Sequence, residues 1–505
     1  MGRPATTILA LAAAVVVSSA HIGSPDAWYD GPAGPYTVLV HVQAPAVVPG
    51  IAIVNVKPAD SGIERVTAFV NRFDATGGAP PPDVAAPVAD SPGWYRTRLW
   101  VMTAGSNSVT VGVTGAKGIG TVVVPLTAVA GRRLTFDTPL AALLVTAAVV
   151  LALGLVTIAG AAVRESVLPP DGEVDAPRRR RAKLAMARVA IVLAIAVVGT
   201  GAWWRAEDRG FQRNLFRPMT ISARVDSSSL DFAITDSTWV RRHDVRWLRE
   251  RRLPQRGDLI EDHGKLVHLF VVAADGRRAF AHLHPTTRDS VTFAAAFPPL
   301  PGGKYTVFAD IVQTSGFTQT MTTTVDVPAD STGRAAPSTI DPDDSWGVGH
   351  PMEDGRRITL DDGTAVTWLR DESPLVENTE ARLRFSVSPP AGDTASLEPY
   401  LGMVGHAVVV RDDAEVFIHL HPLGTISVAA QARLTSPADT TREPHAAHPA
   451  QSVKPADDTS TATGDTLYFP YAFPQPGNYT VWVQFKRAGR ILTGSFPAVV
   501  TPAAQ

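Results

Sequence analysis

VHLFVVAADGRRAFAHLHP at residues 267–285 and GHAVVVRDDAEVFIHLHP at residues 405–422 are two copies of one pattern. Each leads from a His through an apolar stretch, across a short Asp-containing turn, into a second strand ending HLHP. Downstream the copies stay in step, with FPPLPGGKYTVFADI from Phe297 answering FPQPGNYTVWVQF from Phe473. Pro ends a strand ladder because it has no N–H to give, so each copy predicts an antiparallel hairpin, and the duplication predicts a sandwich around each.

Side chains alternate along a strand, so His282 and His284 share one face, as do His419 and His421. The turn at Asp275 and Gly276 folds His268 back opposite His282 or His284; the turn at Asp412 and Asp413 does the same for His406 opposite His419 or His421. A slip of one residue would set His268 against Leu283 and dissolve the cluster. In register, each repeat offers three imidazoles to one ion, with His263 and Met403 just upstream as extra ligands. Imidazole suits Cu(II), Zn and Ni, and a thioether favours Cu(I), so the expected ion is copper, with zinc as the runner-up. The bland alternative is a strand end whose His side chains bond to backbone or solvent. Asp310 and Gln484 hold equivalent places in the two repeats and are expected to support the ligands or the core. His445 and His448, in PHAAHPA, sit in a polar stretch and are expected to be solvated.

Composition narrows the chemistry. Cysteine is absent, which excludes disulfides, thiolate nucleophiles and zinc fingers. Of 13 His residues only His21 and His41 precede residue 205. Lys plus Arg total 46 against 48 Asp plus Glu, leaving no field for a polyanion, so nucleic acid is not an expected partner. The 41 Pro and 40 Gly break helices and suit short strands, and 505 residues predict roughly three folded units at about 150 residues each. GxSxG, HExxH, Walker and dinucleotide fingerprints are missing from suitable contexts, so no catalytic residues are assigned.

Three apolar segments set an expected topology. Residues 1–20 combine an early Arg, an apolar run and small residues at Ser18 and Ala20, the pattern of a signal peptide. Residues 138–163 carry no charge and are long enough to cross a bilayer. Residues 184–204 form the second expected span, with Trp203 and Trp204 at an interface. The loop 164–183 between them contains Arg178, Arg179, Arg180, Arg181 and Lys183, so the positive-inside rule makes it cytoplasmic and places both large flanking segments outside.

The expected fold class is therefore mainly β: three immunoglobulin-like β-sandwich domains outside the membrane plus a two-helix transmembrane hairpin. Residues 21–137 supply the first sandwich, through runs such as YTVLVHV at 36–42 and SVTVGVTG at 108–115. Residues 205–328 hold the first His repeat, 329–354 read as a linker, and 355–505 hold the second repeat with a disordered insertion at 434–466. If cleavage follows Ala20, the freed amine and imidazole of His21 can chelate Cu(II), with His41 completing a T-shaped site.

Small His-bearing sandwiches behind a signal peptide, with His21 at the mature terminus, resemble the bacterial CopC-like and YtkA-like extracytoplasmic families. The order of elements, with HIGSPDAWYDGPAGPY after the signal and AAVRESVLPP after the first span, is also similar to uncharacterised bacterial membrane-anchored proteins. The resemblance implies exported sandwich domains, copper handling, and the bilayer with an envelope or copper-handling protein as partners. The Met-rich segment of some copper carriers is missing. The reading that follows is a metal-binding protein of the bacterial cytoplasmic membrane that sequesters or passes on copper. A metal-free interaction protein of the envelope is the alternative, and a copper-dependent oxidase or oxygenase a second.

Overall fold

The computed structural model describes residues 21–23, 26–73, 80–131, 137–168, 172–226, 228–243, 259–274, 279–289, 291–329, 341–350, 352–353, 355–435 and 465–503. The signal-like segment, the turn at Asp275 and Gly276, most of the 434–466 insertion and His445 and His448 lie outside them. The chain is mainly β with two long apolar helices, and it divides into two compact units.

The smaller unit carries helix α1, Thr138–Glu165, and helix α2, Ala176–Arg213. Both are long and apolar enough to cross a membrane. Leu151, Ile158, Ile195 and Val198 stand exposed on them, as lipid-facing side chains would. The helices touch closely where Gly160 faces Met186, since a Cβ at Gly160 would lie 2.6 Å from the Met186 side chain. Helix α2 runs well beyond the expected 184–204. The Asp175 carboxylate accepts the Arg178 N–H at 2.8 Å and Pro177 suits the first turn, so the helix starts early and takes in Arg178–Arg181.

Among the described residues the larger unit contains six sheets. Two are N-terminal: a five-stranded sheet built around Tyr36–Gln43 and Gly50–Pro58, and a four-stranded sheet built around Ile63–Arg72 and Gly105–Gly115. Both are antiparallel throughout. The His repeats lie in two larger sheets, whose strands are numbered here in chain order. His21–Ile22 is β1, His268–Ala273 is β2, Ala279–Leu283 is β3, Gly303–Gln313 is β4, and Ser345–Val348 is β5. In the second repeat His406–Arg411 is β6, Val416–Leu420 is β7, and Gly477–Arg487 is β8. One six-stranded sheet contains the order β4-β2-β3-β5; one seven-stranded sheet contains the order β1-β7-β6-β8.

Each of these sheets is apolar on both faces. Leu269, Val271, Ala281, Leu283 and Val307 point into a core shared with Phe232 and Phe293 of a four-stranded sheet. Ala407, Val409, Ile418, Leu420 and Val483 point into a core shared with Phe385 and Phe469 of a five-stranded sheet. The opposite faces meet each other: Phe270, Phe280 and Phe308 of the first repeat pack with Val408, Phe417 and Trp482 of the second. Phe308 stacks on Phe417 at 4.1 Å and Phe280 on Trp482 at 4.8 Å between ring centres.

Two features differ from the expected organisation. The stretch 329–354, expected as a linker, carries β5, which pairs with β3 and brings Asp341, Asp343 and Asp344 beside the HLHP strand. Strand β1, from the expected start of the first sandwich, instead pairs in parallel with β7, setting His21 against Val416. The N-terminal sheet also touches the second HLHP turn, where Tyr29 bridges to Gly424. Gly424 has φ +117° and its Cβ would fall 2.1 Å from the Trp28 carbonyl, so only glycine fits.

The aromatic layer between the two repeats generates a stability prediction. Phe417→Ala removes a ring with no exposure and two aromatic neighbours, and should cost about 3–5 kcal/mol. Trp100→Ala, at a side chain 62% exposed, should cost less than about 0.5 kcal/mol. Urea unfolding of the two variants checks this, and equal midpoints would contradict the packing described.

Candidate metal centre

Register decides where the histidines go. Leu269 pairs with Leu283 and Phe270 with His282, so continuing the ladder sets His268 level with His284. Ala407 pairs with Leu420 and Val408 with His419, which sets His406 level with His421. All six therefore project from the sheet faces that meet each other, at the end away from the aromatic layer. His263 joins them from a tight turn in which it and Gly264 take left-handed conformations, φ 54° and 78°. The seven rings form one continuous cluster, with neighbouring centres 4.5 Å apart for His419–His421, 4.6 Å for His282–His284 and 5.3 Å for His268–His419.

Within that cluster the possible ligand atoms of His268, His282 and His284 lie within 4.8 Å of one another, and those of His263, His406 and His421 do likewise. The first set is the expected one. In the second, His263 takes the place expected of His419, whose ring instead stands near His268, His282, His406 and His421. A third set, His284 with Asp341 and Asp344, overlaps the first.

Hydrogen bonds orient the rings so that bare nitrogens face inward. His268 Nε2 lies 3.1 Å from the Asp262 carbonyl, which only accepts, so Nε2 carries the proton and Nδ1 does not. His282 Nδ1 lies 3.1 Å from Gln484 Oε1, while the Gln484 amide nitrogen donates to Ser345 Oγ. That leaves His282 Nε2 bare as well, and it sits 3.1 Å from His268 Nδ1. Two lone pairs thus face each other at the separation of adjacent ligands on one ion, for metal–nitrogen distances of about 2.0–2.1 Å. His284 Nδ1 is held by Asp344 at 3.0 Å and His421 Nδ1 donates to the Ile426 carbonyl at 3.0 Å. Carboxylate and carbonyl partners of this kind fix the tautomer of metal-binding imidazoles.

The free ends have no hydrogen-bond partner: His263 Nε2, His284 Nε2, His419 Nε2, His421 Nε2 and both nitrogens of His406 are buried and unsatisfied. Each such group ordinarily costs about 1–3 kcal/mol, so a concentration of them marks a place for a ligand. The repeats support each other reciprocally. Asp310, paired with His268 in the ladder, reaches His419 at 3.5 Å; Gln484, paired with His406, reaches His282.

Burial, reinforced by neighbouring imidazoles, lowers the pKa of His282, His284, His406 and His419 well below the ordinary value and that of His421 to about 4. His263 and His268 are lowered by burial despite the opposing pull of Asp262. Burial pushes Asp310 and Asp344 up to about 7, against hydrogen bonds from Thr320 and the His284 N–H. At neutral pH the imidazoles are uncharged, the form that binds a metal.

His41, His21 and Met403 complete the expected ligands. His41 stacks on Trp28 at 3.9 Å with Nε2 3.5 Å from Asp26. The side chain of His21 lies outside the described residues; its backbone runs in β1 along β7, and the strand of His41 runs between those of Trp28 and Asn55. Met403 occupies the turn position that Lys265 holds in the first repeat. Asp262, Lys265, Asp341, Asp344 and Tyr400 were not expected. Asp262 adjoins His263, and the run DPDD at 341–344 was the available signal for the carboxylates.

A family model described as "Domain of unknown function (DUF8832)" matches residues 246–329 and 358–502, which include all seven clustered histidines. No curated protein matches the chain. Among solved structures, dimeric latent PorU from Porphyromonas gingivalis is 9% identical with a TM-score of 0.13; the match covers 95% of this chain and 34% of that one. The chain thus spans about a third of the length of that protein. The ICAM-5 D1–D4 ectodomain fragment is 7% identical, TM-score 0.14, covering 90% and 74%. A putative membrane anchored protein from Corynebacterium diphtheriae is 10% identical, TM-score 0.14, covering 95% and 96%. Likenesses this slight bear on neither fold nor function.

The buried imidazoles make stability pH-dependent. Their folded pKa values lie below the unfolded value near 6.5, so the unfolded chain binds more protons and stability falls as pH drops below about 6.5 toward 4. Asp310 and Asp344, raised, act in the opposite sense over the same window, but two carboxyls are outnumbered by seven imidazoles. Metal-free protein should therefore lose thermal stability steadily from pH 7 to pH 4.5; a flat or rising profile would contradict the burial described.

Proposed function

We propose that this protein is a membrane-anchored, extracytoplasmic metal-binding protein that holds copper, sequestering it or passing it on, by coordination without turnover. The observation that carries the reading is the approach of His268 Nδ1 to His282 Nε2 at 3.1 Å, with the opposite nitrogens held by Asp262 and Gln484, inside a cluster in which six further imidazole nitrogens have no hydrogen-bond partner. Nitrogen-rich sites bind Cu(II) more tightly than Zn(II) in the general order of divalent metals, which favours copper and leaves zinc as the competing occupant. Calcium and magnesium require oxygen cages, and the histidine sets do not provide one. The resemblance to CopC-like and YtkA-like sandwiches points the same way.

The location rests on α1 and α2 as a membrane hairpin. The basic start of α2 belongs on the cytoplasmic side by the positive-inside rule, with the β unit outside. An envelope protein that delivers or accepts copper is the partner this arrangement calls for, alongside the lipid bilayer itself.

Two measurements test the proposal. The purified full chain dialysed against Cu(II) should retain copper and no Ca(II), while the combined substitution of His268, His282, His406 and His421 by Asn should abolish retention with the β-sheet circular dichroism unchanged. Retention by that variant would refute the site; failure of the parent to bind would leave an interaction protein of the envelope. The cysteine-free chain also permits single-thiol labelling in intact cells. A membrane-impermeant maleimide should label Asp90→Cys and spare Glu173→Cys, and the reverse pattern would invert the topology.

A further inference from the structure

We infer that the centre binds two transition-metal ions side by side, one in each histidine set, in non-equivalent environments; this rests on the metal-binding reading above. The first ion belongs to His268, His282 and His284, the second to His263, His406 and His421. At metal–nitrogen distances near 2.0–2.1 Å two ligand atoms on one ion stand no more than about 4.2 Å apart, so one ion gathers three or four imidazoles, not seven. A single ion in either set would leave nitrogens of the other buried and unsatisfied, among them His284 Nε2 on one side or His421 Nε2 and the unprotonated nitrogen of His406 on the other. Two ions use both sets. His419, with Nε2 free and its ring 5.3 Å from His268 and 4.5 Å from His421, stands between them as a donor available to either ion.

Among the described residues, Asp262, Asp310, Asp341, Asp343 and Asp344 line or back the cluster, and the ammonium of Lys265 bridges Asp341 and Asp343 at 2.6 and 3.0 Å. The two environments differ in kind. In the first set His284 is backed by the Asp344 carboxylate, whose negative charge strengthens the imidazole as a donor. In the second His421 is backed by the neutral Ile426 carbonyl, His263 is held by the backbone of Leu401, and the Asp262 carboxylate stands 3.8 Å from His263 Nε2. The two sets therefore differ in where their carboxylate stands, behind an imidazole in the first and beside one in the second.

Titration of the full chain with Cu(II), followed by native mass spectrometry, tests the inference. Two equivalents should bind. His284→Asn should leave one, His421→Asn should leave one, and the double variant should leave none. Saturation of the parent at one equivalent, or loss of all copper from either single variant, would overturn the two-ion centre while leaving metal binding intact; no binding by the parent would remove both. Electron paramagnetic resonance of the parent gives a readout independent of any variant. The signal should keep its intensity per copper up to one equivalent, then broaden or weaken per copper on the way to two as neighbouring spins couple. An unchanged signal per copper through the second equivalent would place the ions apart and refute the shared chamber.

Discussion

The centre depends on two sheets burying their outer faces against each other. A sheet in a sandwich normally keeps one face for the core and the other for water; here water is excluded from both, and the second face carries aromatics at one end and imidazoles at the other. The aromatic end has to hold the polar end closed. Each phenylalanine-sized ring removed from water contributes roughly 1.5–3 kcal/mol, and each unsatisfied nitrogen costs about 1–3 kcal/mol. Phe270, Phe280, Phe308, Phe417 and Trp482 are the apolar contacts that oppose the six unsatisfied imidazole nitrogens in the metal-free chamber.

Much of this was legible in the sequence, and the rest was hidden for definite reasons. The period of two along HLH and the duplication of the hairpin were enough to place His268 with His282 and His284, because hairpin register is local. Which hairpins meet is not local. Taken alone, each repeat promised its own clamp, and nothing in HLHP says that the two clamps face each other. A signal was present nonetheless: HLFVVA and HAVVVR are nearly continuous apolar runs, as expected of strands buried on both faces, and not the strict alternation of a strand with one wet side. The linker reading of 329–354 followed composition, yet DPDDSWGV carries both carboxylates and the edge strand that brings them in. Duplication also misled in one place. Strict equivalence nominated His419 as the third ligand of its repeat, but the first repeat's turn supplies His263 where the second has Leu401, and the left-handed conformation there carries His263 across to the other set.

The repeats have diverged where chemistry would differ and stayed alike where geometry must be kept. Gly264 and Gly402 hold matching turns with φ 78° and 77°, while the residues around them changed from Asp262 and Lys265 to Tyr400 and Met403. Asp310 and Gln484 likewise keep one ladder position and exchange a carboxylate for an amide, each serving the opposite repeat. Neither repeat alone possesses a complete set of supports, so the unit of function is the pair.

Strand β1 joins the beginning of the described chain to β7, some four hundred residues later. A pairing this distant in sequence carries a large loop-closure entropy, so it is expected to form after the more local hairpins of the same sheet. The seven-stranded sheet that carries the second HLHP strand is therefore completed by the least local contact in it, and the edge of the histidine chamber is set by residues drawn from opposite ends of the described chain.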